Sequence, residues 1–449
     1  MKREANKEQR EESCEQAAFA LPRPSKALTA LTTSALALPG VAGLAAGTAQ
    51  ADAPIERATG AASFSYYKED NLSPSRFSGT GSRDRYEVFQ TQLRFDLPMT
   101  DRTDLGLDIL YEEMSGASPW YVQAIAGSPK PLQVMSGATI EDERFDILAD
   151  VDFYMDNGKD TISAGISTER DYFAFNLGLG AERNLNEKNT TVSSSIGFSY
   201  DWIDPTDADI FSTRPSSEER WAVDLFLGVA QIISRNSTMQ VTFNYKHSGG
   251  YLSDPYKAIR PIGPLAVLLS DERPTDKDQL SIMLRYRHHF ERVAGSLHVD
   301  GRFYTDDFGI NSLTTELGWY QNILDWITIT PSVRWYTQSK ADFYEPVLNP
   351  IIPGNPGPRH RSSDFRLSPY GAISAKIKAD FEFLDAFDYD APSWLQRIGV
   401  SEGMDLIATV SYERYFSDGD ISLVDVKESD EAPGLVRFHV FSVSLNGRF

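Results

Sequence analysis

Apolar and polar side chains alternate at every second position in many separate segments of this chain. Between residues 280 and 287, the large side chains of Ile282, Leu284 and Tyr286 alternate with the charged Arg285 and Arg287. Successive side chains of a β-strand point to opposite faces of the sheet. This period therefore predicts strands that have one apolar face and one polar face.

Segments of this kind recur along most of the chain, each about 9–14 residues long. They fall near residues 61–68, 84–97, 104–113, 142–155, 161–169, 173–183, 191–202, 220–229, 238–247, 280–287, 296–304, 312–322, 327–338, 365–380, 404–415 and 436–449. An even number of such segments, about 16, is typical of antiparallel barrels that span an outer membrane. A soluble β-sandwich would have fewer and shorter strands. We therefore predict an all-β fold, a single antiparallel transmembrane β-barrel.

The connections between these segments alternate in length. Short turns rich in Asn, Gly, Asp and Ser are predicted at 98–102, 156–160, 234–237 and 291–294, and long loops at 69–83, 114–141, 204–217, 248–276, 339–362 and 417–433. Outer-membrane barrels have short periplasmic turns and long extracellular loops. The connection 382–403 is long where a periplasmic turn is expected, and DAPSWLQRIG within it predicts a short helix. We expect this connection to be a local plug or a docking element for a periplasmic partner.

The two ends of the chain support export and membrane insertion. Residues 27–46 are small and apolar without charge, and AQA at 49–51 precedes Asp52 as a small-x-small cleavage site. We predict that residues 1–51 are a removed signal peptide and that residues 52–449 form the barrel. The last strand ends on Phe449 and resembles the terminal strand of outer-membrane barrels, which the barrel assembly machinery recognises.

Composition excludes several classes of protein. The formal net charge of −21 argues against binding of nucleic acid, which needs a basic face. The single cysteine, Cys14, lies in the predicted signal, so the mature chain has no thiol for catalysis, zinc binding or iron–sulfur clusters. No later segment approaches the roughly 18–20 apolar residues of a spanning helix. A membrane protein of this kind must therefore be a closed sheet, with outer-membrane lipid and lipopolysaccharide around it.

Several motifs carry a resemblance to a known family. They are SGASP at 115–119, SGATIEDER at 136–144, ISTERDYF at 166–173, GYLSDPYK at 250–257 and DERP at 271–274. The chain resembles, from about residue 60 to its end, a bacterial outer-membrane family that is grouped as a domain of unknown function. The resemblance implies a barrel that is often encoded beside a flavin transferase and thioredoxin-like proteins. It implies no activity and no catalytic residue.

The family motifs fall at predicted junctions between strands and outer loops. Their candidate rim residues are Ser115, Gly116, Ser136, Gly137, Asp142, Asp254 and Pro255. Residues of these types fix the conformation of tight turns and loops. A ligand site built from the same rim is the alternative.

Charged residues at the predicted inward positions separate by sign along the chain. The first half contributes an acidic wall, Glu112, Asp146, Asp150, Asp152, Glu169, Glu182, Asp201 and Asp224. The second half contributes a basic wall, Lys246, Arg285, Arg287, Arg302, Arg334, Arg366, Lys376 and Lys378. Consecutive strands are neighbours in a barrel, so the two walls would oppose each other across the lumen. We expect water between them, because side chains cannot fill a barrel of about 16 strands. The alternatives are walls that pair across the interior and loops that plug it.

No set of residues predicts an enzyme, a cofactor or a metal site. His247 and Ser248 are of the residue types that an outer-membrane phospholipase would need, but no Ser- and Arg-rich strand completes such a site. The acidic segment 418–431 could hold a divalent cation, although most acidic runs are solvated surface.

We therefore expect a channel or uptake route for small hydrophilic solutes. The alternative is a structural barrel that does not conduct and instead anchors periplasmic redox or assembly partners.

Overall fold

A computed structural model of the chain describes residues 54–125, 130–136, 140–263, 267–349, 357–387, 390–397, 399–400 and 403–449. The predicted signal peptide and Cys14 lie outside the described residues. The strands within them, in chain order, are β1 (Thr59–Glu69), β2 (Glu87–Thr100), β3 (Thr103–Gly116), β4 (Pro119–Gln123), β5 (Leu132–Met135), β6 (Ile140–Met155), β7 (Gly158–Thr168), β8 (Tyr172–Leu185), β9 (Thr190–Ile203), β10 (Glu218–Ser234), β11 (Ser237–Gly250), β12 (Ala258–Ile259), β13 (Leu269–Ser270), β14 (Asp276–Phe290), β15 (Gly295–Asp306), β16 (Asn311–Leu324), β17 (Ile327–Gln338), β18 (Tyr370–Phe387), β19 (Met404–Asp418) and β20 (Arg437–Arg448).

Sixteen of the strands in the described part of the chain close into one antiparallel barrel, as predicted. Neighbours in the wall are neighbours in sequence, apart from β4–β5 and β12–β13, which form two small separate hairpins within long loops. The barrel closes where β1 pairs with β20, with Ser63 opposite Ser444 near the middle of the seam. One strand begins later than expected, because residues Phe365–Leu367 form a 3₁₀ turn before β18 starts at Tyr370.

Apolar side chains cover the outer face of the barrel. Phe64 of β1 is 54% exposed and Leu227 of β10 is 56% exposed, although both lie in the middle of regular strands. The alternate positions carry polar groups that are more buried, such as Asp224 and Gln240. This inversion of the soluble pattern is expected when lipid contacts the outer face and water contacts the lumen.

The C-terminal residue packs over the seam between the first and last strands. Gly60 of β1 lies opposite Gly447 of β20. The Phe449 ring covers both, since a Cβ built on Gly60 would lie 3.1 Å from its Cε2 and one on Gly447 would lie 3.2 Å from its Cζ. A large side chain at position 447 would therefore displace this ring. An aromatic side chain that covers strand glycines in this way is a known device of β-sheets.

The connections alternate between a turn end and a loop end of the barrel. Tight connections join β2 to β3, β6 to β7, β8 to β9, β10 to β11, β14 to β15 and β16 to β17. Long loops join most of the other pairs and contain the two hairpins. The connection between β18 and β19 lies at the turn end and includes the four-residue helical turn Ser393–Gln396.

No helix in the described residues is long and apolar enough to cross a membrane.

Candidate functional site

The predicted acidic wall lies on the inner face of the barrel. Its members on β3, β6, β8, β9 and β10 alternate with exposed apolar residues, and Glu169 lies directly after β7. Asp201 is fully buried, and Glu112, Glu182 and Asp224 are nearly so. The sequence pattern thus placed these side chains inside the barrel.

Basic residues from the same and from neighbouring strands neutralise much of this wall. Arg144 lies 2.9 Å from Asp146 and 3.7 Å from both Glu112 and Glu169. Further ion pairs join Lys159 to Asp152 at 2.6 Å, Arg220 to Asp201 at 2.6 Å, and Lys246 to Asp224 at 3.6 Å. The wall is therefore not a uniform negative field. Lys246 belongs to the predicted basic wall. Arg144, Lys159 and Arg220 occupy inward positions of the same alternation, and the sequence reasoning did not use that signal.

One ion pair crosses an intervening strand. Arg94 of β2 donates to Asp150 of β6 at 2.8 Å, although β3 lies between the two strands. Gly106 of β3 makes this possible, because a Cβ there would lie 2.3 Å from Arg94 Nη2 and 2.4 Å from Asp150 Oδ2. A glycine in the lumen wall thus allows an ion pair between strands that are not neighbours.

Seven residues of the predicted basic wall lie at inward positions of wall strands, and Arg366 does not. Arg366 lies in the 3₁₀ turn Phe365–Leu367, outside the barrel wall. Its apolar neighbours Phe365 and Leu367 imitate a strand period but pack into a cluster of loops. The assignment of Arg366 to the lumen wall was therefore wrong.

The remaining basic residues are only partly paired. Arg287 binds Asp300, Arg334 lies 2.9 Å from Glu316, and Lys378 lies 2.6 Å from Asp380. Among the described residues, no carboxylate lies at ion-pair distance from Arg285, Arg302 or Lys376. Arg302 is exposed although its side chain points inward, so open space adjoins it in the lumen.

The long loops pack together over the loop end of the barrel, in an assembly that we call the cap. Its core contains apolar residues from four separate connections, Leu252, Phe308, Ile310, Ala341, Tyr344, Leu367, Ala432 and Leu435. A second apolar cluster lies on the lumen side of β1, β2 and β20, near the loop ends of these strands. Its rings of Tyr67 and Phe438 are 4.8 Å apart. The loops are thus a packed layer rather than independent surface segments.

A buried ion network holds the cap together. Arg273 donates to Asp271 at 2.6 Å and to Asp364 at 2.9 Å. Arg366 donates to the same Asp364 at 2.8 Å and to Asp254 at 2.6 Å. Burial opposes ionisation of Asp364, but the positive charges of Arg366, Lys257 and Arg273 hold its pKa below the ordinary value. The network joins the loop before β14 to the loop before β18.

Contacts across the mouth show that the cap bridges the lumen. Lys257, in the loop between β11 and β14, donates to the carbonyl oxygen of Pro119, in the loop between β3 and β6. Six wall strands, β6 through β11, separate these loops around the barrel. On another side, Lys130 of the β3–β6 loop lies 3.0 Å from Glu431 of the β19–β20 loop. Burial lowers the pKa of Lys257 to about 8, although Asp364 and Asp254 oppose the shift.

The predicted rim residues lie at the base of the cap. Ser115 and Gly116 end β3, and Gly116 has a φ of +124° and a Cβ position only 2.5 Å from the carbonyl oxygen of Arg85. The Ser136 hydroxyl accepts a hydrogen bond from the Ser118 backbone N–H at 2.9 Å. Pro255 follows the buried Asp254 in the ion network, and Asp142 lies near the start of β6. Gly137 lies outside the described residues.

Acidic groups at the loop end fall into two sets. Asp142, Glu169 and Asp171 each offer one carboxylate oxygen within 4.8 Å of the others, which is the donor type that divalent cations take. Burial raises the pKa of Glu169 to about 8, although Arg144 opposes the shift. In the acidic segment 418–431, basic residues already contact the carboxylates of Asp418 and Glu431, which makes that segment a poor cation site.

The segment before β1 meets the β18–β19 connection at the turn end of the barrel. The backbone N–H of Ala58 donates to the carbonyl oxygen of Gly399 at 2.8 Å, and Arg57 Nη2 donates to that of Gly403 at 2.8 Å. Ile55 N–H donates to Asp104 Oδ2, at the start of β3, at 3.0 Å. The long β18–β19 connection is therefore fixed against the start of the barrel, and it leaves Trp394 63% exposed.

Comparisons with known proteins give a family and a set of similar folds. A family model described as a protein of unknown function (DUF3570) matches residues 28–392. No curated protein matches the chain. A bacterial polysaccharide outer membrane secretin shares 8% identity, with 88% of this chain and 98% of that chain covered and a TM-score of 0.43.

Two further solved structures show similarity of the same order. A FadL homologue of Pseudomonas aeruginosa shares 11% identity, with 87% of this chain and 89% of that chain covered and a TM-score of 0.35. A BenF-like porin from Pseudomonas fluorescens Pf-5 shares 8% identity, with 88% and 98% covered and a TM-score of 0.39.

Proposed function

The chain belongs to the family of proteins of unknown function DUF3570, and we propose that it is an outer-membrane channel for small hydrophilic solutes whose outer mouth is closed by the cap. The observation that carries the proposal is the lumen itself. Charged and polar residues line it, and Arg302 adjoins open space within it. A barrel with a purely structural role has no need of an accessible polar interior.

The cap supplies the gate of this channel. Its loops bridge the mouth through Lys257 and Pro119, and its ion network is almost completely buried. A solute can enter from outside only when these loops separate. A buried ion network is well suited to such a gate, because loss of one partner leaves the others unpaired and weakens the whole set by about 3–5 kcal/mol.

Single-channel recording in planar bilayers tests this proposal. The refolded barrel is compared with Asp364→Asn, which removes the carboxylate shared by Arg273 and Arg366. We expect rare openings for the wild type and frequent discrete openings for Asp364→Asn. Asp209→Asn makes the same chemical change at an exposed position of another loop and should behave as the wild type.

The folded state of each protein is checked first by heat-modifiable gel mobility. If Asp364→Asn is folded, has cap loops that trypsin now cleaves, and still conducts nothing, then the lumen is not a solute path and the channel proposal fails.

A specific observation supports a second candidate, a scaffold barrel that anchors a periplasmic partner. The β18–β19 connection presents the exposed Trp394 on a segment fixed by Ala58 and Gly399. A photo-crosslinker at position 394 in cells should then capture one defined partner. The same probe at Arg235, in a tight turn of the same end, is the matched control.

A further inference from the structure

We propose that Arg285, Arg287 and Arg302 form a binding site for a small oxyanion, a carboxylate or phosphate group, on the lumen wall. The site rests on the proposed channel function and makes it more specific, because it identifies anionic solutes as the substrate class.

The three guanidinium groups come from one patch of the wall. Arg285 and Arg287 are two residues apart on β14, so both side chains point inward. On the neighbouring β15, Asp300 lies opposite Arg285, and Arg302 is two residues further along. Such diagonal neighbours have backbones about 7–8 Å apart, which long arginine side chains can bridge.

The patch has more positive charge than its carboxylates neutralise. Asp300 lies opposite Arg285, but its carboxylate accepts from Arg287, with Nη2 and Oδ2 3.0 Å apart. The next carboxylate on this level, Glu316, is bound to Arg334 at 2.9 Å. Within the described part of the chain, Arg285 and Arg302 therefore have no carboxylate at ion-pair distance.

Several of the arginine N–H groups have no acceptor in the part of the chain that the structure describes. The Nε atoms of Arg285 and Arg287 are buried and have no hydrogen-bond partner among the described residues. Arg285 Nη1 makes one long bond of 3.4 Å to Gln240 Oε1, and Arg302 Nε donates to Ser281 Oγ at 2.9 Å. Buried donors without acceptors are costly. An oxyanion offers the negative charge and the several acceptors that this patch lacks, in the geometry that guanidinium groups prefer.

The patch is also accessible. Arg302 is exposed to the lumen, and the groups that orient Arg285 and Arg302 are a neutral amide and a hydroxyl, which do not repel an anion. Lys376, another inward cation that has no ion pair with any described residue, lies on β18, three strands from β15 around the wall. The positive patch is therefore local, and it meets open space at Arg302.

Binding is measured by titration calorimetry on the folded, full barrel in detergent, with inorganic phosphate, succinate and the neutral succinamide as probes. We expect phosphate and succinate to bind and succinamide not to bind. The anion with the higher affinity shows whether the site prefers a phosphate or a carboxylate group. Arg285→Gln with Arg302→Gln should weaken anion binding at least about tenfold, since charged hydrogen bonds are lost.

Two control variants separate charge from folding. Arg285→Lys with Arg302→Lys keeps both charges and should retain most of the affinity. Arg94→Gln removes an arginine from the opposite side of the barrel, where Asp96 and Asp150 already neutralise it, and should leave the affinity unchanged.

A wild-type barrel that binds neither anion, or a Gln double variant that binds as well as the wild type, overturns the site. Because binding in detergent does not require conduction, a barrel that binds anions but stays silent in bilayers contradicts the channel and leaves the site intact. A barrel that conducts but binds neither anion supports the channel and overturns the anion site.

Discussion

At the scale of single residues, the nearest neighbours of each charged side chain inside this barrel decide whether its charge is neutralised. Most inward carboxylates lie within 4 Å of an arginine or lysine from the same or a nearby strand, as Asp201 does with Arg220. Buried pairs of this kind contribute little net stability, but removal of one partner costs about 3–5 kcal/mol. Within the described residues, Arg285 has no carboxylate at ion-pair distance, and it is one of the three arginines of the proposed anion site.

Glu169 gives a prediction of pH dependence. Its pKa is about 8 in the folded protein because of burial, and a free glutamate has a pKa near 4.3. The folded state thus retains a proton that the unfolded state releases, so this contribution to stability is complete below about pH 4 and is lost as the pH rises to about 8. Glu169→Gln cannot titrate, so its stability should fall less between pH 5 and about 8.5.

Urea unfolding from lipid vesicles with EDTA present measures this difference, and Glu187→Gln, in an exposed turn, is the control. An identical pH slope for the wild type and Glu169→Gln would show that Glu169 is ionised at neutral pH.

At the scale of strands, the register decides which charges meet. Asp150 lies opposite Gly106 on β3, yet its partner Arg94 is one strand further away. The side chain at position 106 must be absent for this pair to form. The bond therefore joins β2, β3 and β6 into one unit on the lumen side.

Gly106→Ala tests this unit. The added methyl group would displace Arg94 and Asp150 from each other, and we expect a loss of about 1.5–3 kcal/mol in the free energy of unfolding, the contribution of a charged hydrogen bond. Gly318→Ala is the matched control, because its Cβ would lie at an ordinary distance of 3.7 Å from Ser332. Equal effects of the two substitutions would mean that the ion pair contributes nothing measurable.

The same register explains what the sequence could and could not predict. Each wall strand was predictable, because lipid on one face and water on the other impose a period of two. The start of β18 was misplaced, because Phe365 and Leu367 repeat that period within the cap. The pairing of Arg94 with Asp150 was not predictable, because it depends on strand register and on a glycine between them. The predicted roles of the basic and acidic walls remain predictions.

At the scale of the whole molecule, the barrel is closed in two places. Phe449 covers the glycine pair at the seam of β1 and β20, and its backbone N–H donates to the carbonyl oxygen of Ala58 at 2.9 Å. The cap closes the loop end through contacts between loops on opposite sides. The first closure completes the wall and the second closes the mouth.

Phe449→Ala should weaken the seam. Loss of the ring exposes Gly60 and Gly447, and we expect the free energy of unfolding of the folded barrel to fall by about 1–2 kcal/mol from lost apolar contact. The measurement uses protein refolded in vitro, so that recognition by the assembly machinery plays no part. Phe441→Ala, on the outer face of β20, controls for loss of a ring from the same strand. A Phe449→Ala barrel as stable as the wild type would show that the ring contributes nothing measurable to the stability of the folded barrel.

The tie between Lys257 and Pro119 joins residues 138 positions apart in the chain. Contacts of such long sequence separation form late in folding, because the intervening chain must first be ordered. Here that chain consists largely of wall strands, so the tie requires these strands to be in register. The moment at which the outer loops become resistant to protease would therefore mark the completion of membrane insertion.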